Sequence, residues 1–431
     1  MKFFVIGISD NPQPFFPPEV LEIIRNGKVF SGGKRHHDIV GHILPEGSRW
    51  IDITVPLDNV FTIYKSQPQP IIVFASGDPL FFGFANTIRR KMPKAEIAVY
   101  PSFNSLQMLA HRLLMPYHDM RIVSLTGRPW QEFDRTLIEM RITSTTLSTG
   151  KIGVLTDREH TPAAIARRML DYGYTYYKMY AGEHMGNPLL EKVTTLTLEE
   201  AAKRDFEHPN CIILAAENSR QGSAAPLAER LNEGLAEGLK YGIPDSAFEL
   251  LDGREKMITK MPIRLLTLQA LDLPHRNMLW DIGACTGSIS IEARLLFPHL
   301  HVAAFEVRPE CEDIINKNAR RFGTPGIEVH IGDFIACCDS AVTDMPPDAV
   351  FIGGHGGRLK EIMAKVLNVL APGGVIVMNS VTSPVVARMT DRPSSRQMWD
   401  EACKELHLKQ SRPTRIVLDD NNPIEILRAS L

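Results

Sequence analysis

Several features that would make this chain easy to classify are missing. None of its six cysteines (Cys211, Cys285, Cys311, Cys337, Cys338 and Cys403) forms a Cys-x-x-Cys pair. That argues against a disulfide framework or a structural zinc site and fits isolated thiols in a reducing cytosol. No apolar run approaches the roughly 18 residues that would span a membrane, and Lys2-Phe3-Phe4-Val5-Ile6-Gly7-Ile8 is too short for the apolar region of a signal peptide. Neither sign of charge dominates: 48 Lys and Arg stand against 50 Asp and Glu, a net charge of −2, so the basic footprint of a nucleic-acid-binding domain is lacking. The dinucleotide fingerprint G-x-G-x-x-G is absent, as are an internal repeat and an evident Ser-His-Asp or Cys-His nucleophile. The expectation is a cytoplasmic enzyme with neither a membrane nor a nucleic-acid partner.

What is present is α/β patterning. At about 150 residues per domain, 431 residues allow roughly three lobes. Strand-like apolar runs at 3–8, 51–55, 71–75 and 97–100 alternate with helical patterns at 18–26, 83–91 and 105–114, giving a first lobe over about 1–115. A second lobe, about 119–216, has strands at 121–125, 151–156, 176–181 and 210–215. It carries helix-start signals at Thr161-Pro162 and in the capping box Thr197 to Glu200. Residues 217–245 turn to Ser, Gly, Ala and Glu and read as a linker with a helix at 226–239. A third domain, 246–431, has strands at 278–282, 302–307, 328–331, 348–352 and 375–379. The whole is a fusion of unlike domains.

The most informative element of the third domain is Leu279-Trp280-Asp281-Ile282-Gly283-Ala284-Cys285-Thr286-Gly287. A tight loop between a strand and a helix brings backbone close to a ligand. Glu306, at the end of the next strand, suits the two hydroxyls of a ribose. Asp333, ending the third strand, suits an adenine amino group. A loop with Cys285 in place of a second glycine does not seat a pyrophosphate, but it tolerates S-adenosylmethionine. Together with Thr259-Lys260 and Arg264, Phe351-Ile352-Gly353-Gly354 and Leu370-Ala371-Pro372-Gly373-Gly374, this domain resembles the decarboxylating precorrin methyltransferases of cobalamin biosynthesis. That family usually has glycine where Ala284 or Cys285 stands. The resemblance implies cofactor contacts from Thr259, Asp281, Gly283, Ala284, Cys285, Thr286, Gly287, Glu306 and Asp333. It also implies that Gly353, Gly354 and the following His355-Gly356-Gly357 face a tetrapyrrole, along with Asn379.

In the first two lobes, Gly77-Asp78-Pro79 alone is an ordinary turn motif. Its companions are Ser31-Gly32-Gly33-Lys34-Arg35-His36, Pro101-Ser102-Phe103-Asn104-Ser105 and Thr156-Asp157-Arg158-Glu159-His160-Thr161-Pro162, all expected in loops. In that order the set resembles the tetrapyrrole (class III) methylases, in particular the branch acting at carbon 5. One departure is clear: Ile8-Ser9-Asp10-Asn11-Pro12-Gln13-Pro14 replaces the family's glycine-rich first loop. The resemblance implies a cofactor site at Gly77, Asp78, Pro79, Phe82, Ser102, Asn104 and Ser105, and substrate contacts from Lys34, Arg35 and His36. Lys34-Arg35 either meets the substrate's acetates and propionates or is a solvated loop. No carboxylate or cysteine completes a metal set around His36, His37 and His42, so no metal is expected. Cys337-Cys338 reads as apolar filler, and Arg89-Arg90-Lys91 as a dipole-matched helix end.

Methyl transfer from a sulfonium to an electron-rich carbon needs positioning above all. Asp78 is the candidate reacting-end residue in the first site. His355 and Arg358 are candidates beside the departing carboxylate in the second. The fold expectation is α/β: a two-lobed tetrapyrrole-methylase fold (1–216), then a Rossmann-like class I methyltransferase domain. The resemblance implies two S-adenosylmethionine sites per chain, a homo-oligomer, and a precorrin or cobalt-precorrin substrate. Carbons 5 and 15 of a reduced precorrin-6 would be methylated and the ring-C acetate decarboxylated, giving a precorrin-8. The rival readings are an RNA methyltransferase and a non-catalytic sensor of adenosine metabolites.

Overall fold

A computed structural model of the chain describes every residue except 68–69, 144–149, 217–241, 255–256, 342–344, 382–392 and 419–422. The helix expected at 226–239 lies outside the described residues. The chain divides into two compact units, one of Met1–Pro129, Leu147–Leu170 and Thr175–Arg220, the other of Trp130–Thr146, Asp171–Tyr174 and Gln221–Leu431. No described helix is long and apolar enough to cross a membrane.

The first unit contains two five-stranded sheets. In the first sheet β1 (Lys2–Ile8), β2 (Val29–Gly32), β3 (Arg49–Asp52), β4 (Ile71–Ser76) and β5 (Glu96–Tyr100) run parallel in the order β3-β2-β4-β1-β5. Parallel crossovers cover both faces with helices, so successive residues enter opposite cores. Phe3, Val5, Ile71 and Val73 join Val60 and Phe61 of helix Leu57–Lys65. Ile6, Ile8, Ile72 and Phe74 join Val20 and Ile24 of helix Pro18–Arg25. The loop expected over 31–36 is corrected here: Ser31 and Gly32 end β2, and Lys34 begins helix Lys34–Val40. β2 has only two large apolar residues and a Ser-Gly end, too little to show a period. Pairing with β3 and β4 makes it a strand.

The second sheet comprises β6 (Met120–Ser124), β7 (Lys151–Leu155), β8 (Tyr177–Glu183), β9 (Lys192–Thr197) and β10 (Asn210–Ala216), ordered β6-β7-β10-β8-β9. Helix Ser105–Arg112 leaves β5 of the first sheet and buries Leu106, Leu109 and Ala110 against Cys211 and Ile213 of β10. It is capped by Asn104, which accepts from Gln107 N at 2.9 Å. The capping box at Thr197 and Glu200 forms as expected.

In the second unit β11 (Met278–Ile282), β12 (His301–Glu306), β13 (Ile327–Ile331), β14 (Ala349–Ile352) and β15 (Val375–Val381) are parallel. β16 (Lys409–Gln410), β17 (Thr414–Ile416) and β18 (Ile424–Ser430) complete an eight-stranded sheet, ordered β13-β12-β11-β14-β15-β18-β16 with β17 beside β18. Trp280, Phe305, Val350 and Ile376 pack on one face, and Leu279, Val302, Phe351 and Val377 on the other. Strand order reverses between β11 and β14, where a doubly wound sheet opens a crevice at its carboxyl edge. Helix Gln131–Thr143 also belongs to this unit: Arg141 Nη1 donates to the Phe322 carbonyl at 2.5 Å.

Candidate functional site

At that edge of the second unit, β11 runs into the loop 283–287 and helix Ser288–Leu296. Gly283 has φ +79°, and a Cβ there would sit 2.6 Å from the backbone nitrogen of Gly354 in the loop after β14. Only glycine permits both this conformation and this approach. Cys285 also lies in the left-handed region, at φ +51°, although it has a side chain. The loop borders a cavity of about 800 Å³. Thr259, Asp281, Gly283, Ala284, Cys285, Thr286, Glu306, Asp333, Gly353, Gly354, His355, Arg358 and Asn379 all line it. Gly287, with φ +72°, instead starts the helix behind it.

The cavity's charge argues for its ligand. Asp281 is buried and its Oδ2 is engaged by Ser290 Oγ at 2.6 Å, while Oδ1 has no partner among the described residues. Burial pushes its pKa up to about 6, against a smaller lowering by Ser290. Glu306 accepts from Cys285 N (2.9 Å), from Val307 N (2.9 Å) and from Nε and Nη2 along one edge of the Arg308 guanidinium (2.9 Å each). Burial alone would raise the Glu306 pKa, yet Arg308 and these amides hold it below the usual carboxylate range. The amides of Gly283 and Ala284 already donate to the Phe305 carbonyl at 2.8 and 3.1 Å. A phosphate would therefore meet carboxylates rather than free amides. An ammonium group suits the orphan oxygen of Asp281, and ribose hydroxyls would take the Glu306 lone pairs that the Arg308 side chain fills here, so the carboxylate pair fits S-adenosylmethionine.

Around the rim, Asp333 accepts from Ile335 N at 2.8 Å and from Arg358 Nη1 at 2.5 Å, while Arg358 Nη2 binds Glu361 at 2.9 Å. His355 is held neutral, since burial lowers its pKa; its Nδ1 accepts from Gly357 N at 3.2 Å, and Nε2 lies 3.3 Å from Ser395 Oγ. Asn379 Nδ2 donates to Thr267 Oγ1 at 3.0 Å. The Thr259 carbonyl accepts from Arg264, a fully buried arginine that also binds Glu292 and Asp245. Sequence reasoning missed Arg308 and Ser290; a basic residue two places after a strand-end acid was the only signal for the first.

In the first unit, the ends of β1, β4 and β5 meet. A Cβ on Gly7 would lie 1.8 Å from the Gly77 carbonyl oxygen, and one on Gly77 (φ +58°) 2.7 Å from the Asn104 Cα. Gly77 N donates to Ile8 O at 2.8 Å, and Ser102 N to Gly77 O at 3.2 Å. Gly77, Asp78, Pro79, Ser102, Asn104 and Ser105 are thus brought together, with Phe82 one turn further on. Asp78 caps its own turn, accepting from Leu80 N at 2.8 Å. Lys34 is exposed. Arg35 bridges Asp10 Oδ1 and Ser76 Oγ, at 2.7 Å each, and His36 Nε2 lies 3.0 Å from the same Ser76 Oγ. Burial, helped by Arg35, pushes the His36 pKa down to about 4. Asp10 Oδ2 also meets His184 Nδ1 at 2.9 Å. Asp10, Ser76 and His184 were not anticipated; Asp10 sits in the loop that departs from the glycine-rich pattern.

Residues 250–396 match the precorrin methyltransferase domain family. Over 392 residues the chain is 31% identical to the precorrin-6Y C(5,15)-methyltransferase [decarboxylating] of Sinorhizobium sp, covering 90% of this chain and 86% of that one. The chain belongs to that family. The precorrin-6Y C(5,15)-methyltransferase of Mycobacterium tuberculosis (strain H37Rv) is 28% identical over 390 residues, with 88% and 87% covered. The cobalt-precorrin-6B C(15)-methyltransferase (decarboxylating) of Salmonella typhimurium is 37% identical over 131 residues, 30% of this chain and 66% of that one. As a member of this precorrin-6Y methyltransferase family, the chain is a decarboxylating C-methyltransferase that uses S-adenosylmethionine. The RNA-methyltransferase and sensor readings are set aside as its activity.

Proposed function

We propose that the chain methylates carbons 5 and 15 of a reduced precorrin-6 and decarboxylates its ring-C acetate, yielding a precorrin-8, with one S-adenosylmethionine site in each unit. The observation that carries this is the pair of unlike glycine cradles. Gly7–Gly77–Asn104 and Gly283–Gly354 each close at the carboxyl edge of a separate parallel sheet, where a Cβ would strike backbone. Carbon 5 falls to the first unit and carbon 15 with the decarboxylation to the second, following the family likeness of each part.

S-adenosylmethionine, when bound, supplies an electrophilic methyl group. The macrocycle brings its own enamine-like carbons, so the protein's task is to orient and exclude water. In the second unit Asp281, Glu306 and Asp333 hold the cofactor's polar ends along the loop 283–286, and Thr259 closes one side. Gly353, Gly354 and Asn379 face the tetrapyrrole. Loss of a carboxyl leaves an electron pair that the conjugated ring takes up once protonated. With Nδ1 accepting from Gly357 N, neutral His355 carries its proton on Nε2 and acts as a hydrogen-bond donor that orients the departing end of the ring, while the proton itself comes from solvent. Arg358 is engaged by two carboxylates and keeps Asp333 in place. In the first unit Gly77, Asp78, Pro79, Phe82, Ser102, Asn104 and Ser105 form the cofactor wall, and Lys34, Arg35 and His36 the substrate side.

Anaerobic incubation with reduced precorrin-6 and methyl-labelled S-adenosylmethionine tests this by mass spectrometry and NMR. Two labelled methyls, at carbons 5 and 15, and the loss of one carbon dioxide are expected. An unchanged macrocycle, or label at other carbons, would defeat the proposal.

A further inference from the structure

Directly after the turn Gly77-Asp78-Pro79, the first unit has a second cavity, of about 500 Å³, lined by Leu80, Phe82, Asn86, Arg90 and Arg128 among others. Three observations set it apart from an ordinary surface hollow. First, Leu80 and Phe82 are large apolar residues left 47% and 46% exposed at its wall. Phe82 is held there at φ +54°, a conformation that costs a non-glycine residue roughly 1 kcal/mol or more. The turn is not slack: Asn86 Nδ2 donates to the Leu80 carbonyl at 2.8 Å. Second, the Arg128 guanidinium lies over the Phe82 ring, 5.2 Å from its centroid. Its backbone is pinned by the preceding residue, because Gly127 N donates to Asp157 Oδ2 at 2.8 Å. Third, neither Arg128 nor Arg90 has an ion-pair partner among the described residues, although most arginines around the candidate sites do.

An apolar wall with two unneutralised guanidiniums suits a flat apolar edge that carries anionic arms. Carboxylates are the fitting anions, since the arginine fork binds them with two parallel hydrogen bonds. We propose that this cavity is a subsite for the carboxylate arms of the tetrapyrrole substrate, with Arg90 and Arg128 as specificity-determining residues for methylation by the first unit. The inference rests on the functional reading above. Recognition of the macrocycle's edge then falls to a surface on which the family motifs mark only Phe82, expected at the cofactor. Arg90, which reads from sequence as a dipole-matched helix end, gains a ligand by its place at the cavity.

The test uses the full chain with reduced precorrin-6 and labelled S-adenosylmethionine, following carbon 5 and carbon 15 separately. Arg90→Gln with Arg128→Gln should raise KM for the tetrapyrrole at carbon 5 by about tenfold or more, the scale of losing a charge-assisted hydrogen bond. The kcat at saturation and the calorimetric affinity for S-adenosylhomocysteine should hold. Arg128→Lys should recover part of the KM. In the wild type this KM should climb with ionic strength, and in the double variant more shallowly. An unchanged KM overturns the proposal. So does a fall in S-adenosylhomocysteine affinity in step with KM, which would make the cavity part of the cofactor site, or a lysine variant no better than glutamine. If the wild type places no methyl at carbon 5, the functional reading fails and the subsite with it. If the wild type does and the variants match it, the subsite alone fails.

Discussion

Asp281→Asn isolates the electrostatics of the second-unit cavity. The wild-type carboxyl is moved from 3.8 up to about 6 by burial, with Ser290 opposing and Glu306 adding repulsion. The native state therefore keeps this proton over a pH range in which the unfolded chain has already released it. The group's contribution is intact below pH 3.8 and declines as pH rises to about 6, beyond which it is constant. At 1.36 kcal/mol per pKa unit, a shift of about two units amounts to about 3 kcal/mol. For a unit of this size that corresponds to roughly 6–12 °C in melting temperature, at about 2–4 °C per kcal/mol. The asparagine variant lacks this titration, and its amide adds only a pH-independent offset. Scanning calorimetry between about pH 4, where roughly 2.4 kcal/mol of this contribution remains, and pH 7.5 should thus show the wild type losing about 5–10 °C relative to the variant. Saturating S-adenosylhomocysteine should close part of that gap, because its ammonium gives the orphan Oδ1 of Asp281 a donor. Parallel pH–stability curves would refute both the buried charge and its role.

Three further outcomes follow from the packing. Gly283→Ala sets a Cβ 2.6 Å from the Gly354 nitrogen at φ +79°, so calorimetric S-adenosylhomocysteine binding in the second unit should weaken by about tenfold or more, with label at carbon 15 lost and label at carbon 5 kept. Gly7→Ala puts a Cβ 1.8 Å from the Gly77 carbonyl and should abolish carbon-5 labelling while carbon 15 is still methylated, as read by NMR. Arg264→Met strands the buried Glu292 carboxylate; urea unfolding should show a loss of about 3–5 kcal/mol in the second unit, and Glu292→Gln in the same background should return part of it.

Much of both sites is legible in the amino-acid sequence, for local reasons. The strand after which each loop follows is an apolar run of five or six residues. The loops betray themselves by glycine, and Glu306 falls at a strand end whose position is set by the same apolar period. The signals failed where the period was too short or belonged to another element. β2 is four residues long and is a strand by virtue of its neighbours. β9 is half-exposed and alternates weakly.

By itself the sequence determined an α/β chain with two ligand loops and the carboxylates of the second, because strand alternation, turn chemistry and helix caps act between residues a few positions apart. Tertiary structure alone decided that Gly7 must lack a side chain for Gly77 to close against it. It decided that Asp10 holds Arg35 on one side and His184, 174 residues away, on the other. It also set the Arg128 guanidinium over Phe82 and placed Arg308 on both oxygens of Glu306. Excluded volume and the pairing of charges depend on distance in space, and chain position records that distance only after the sheets have formed.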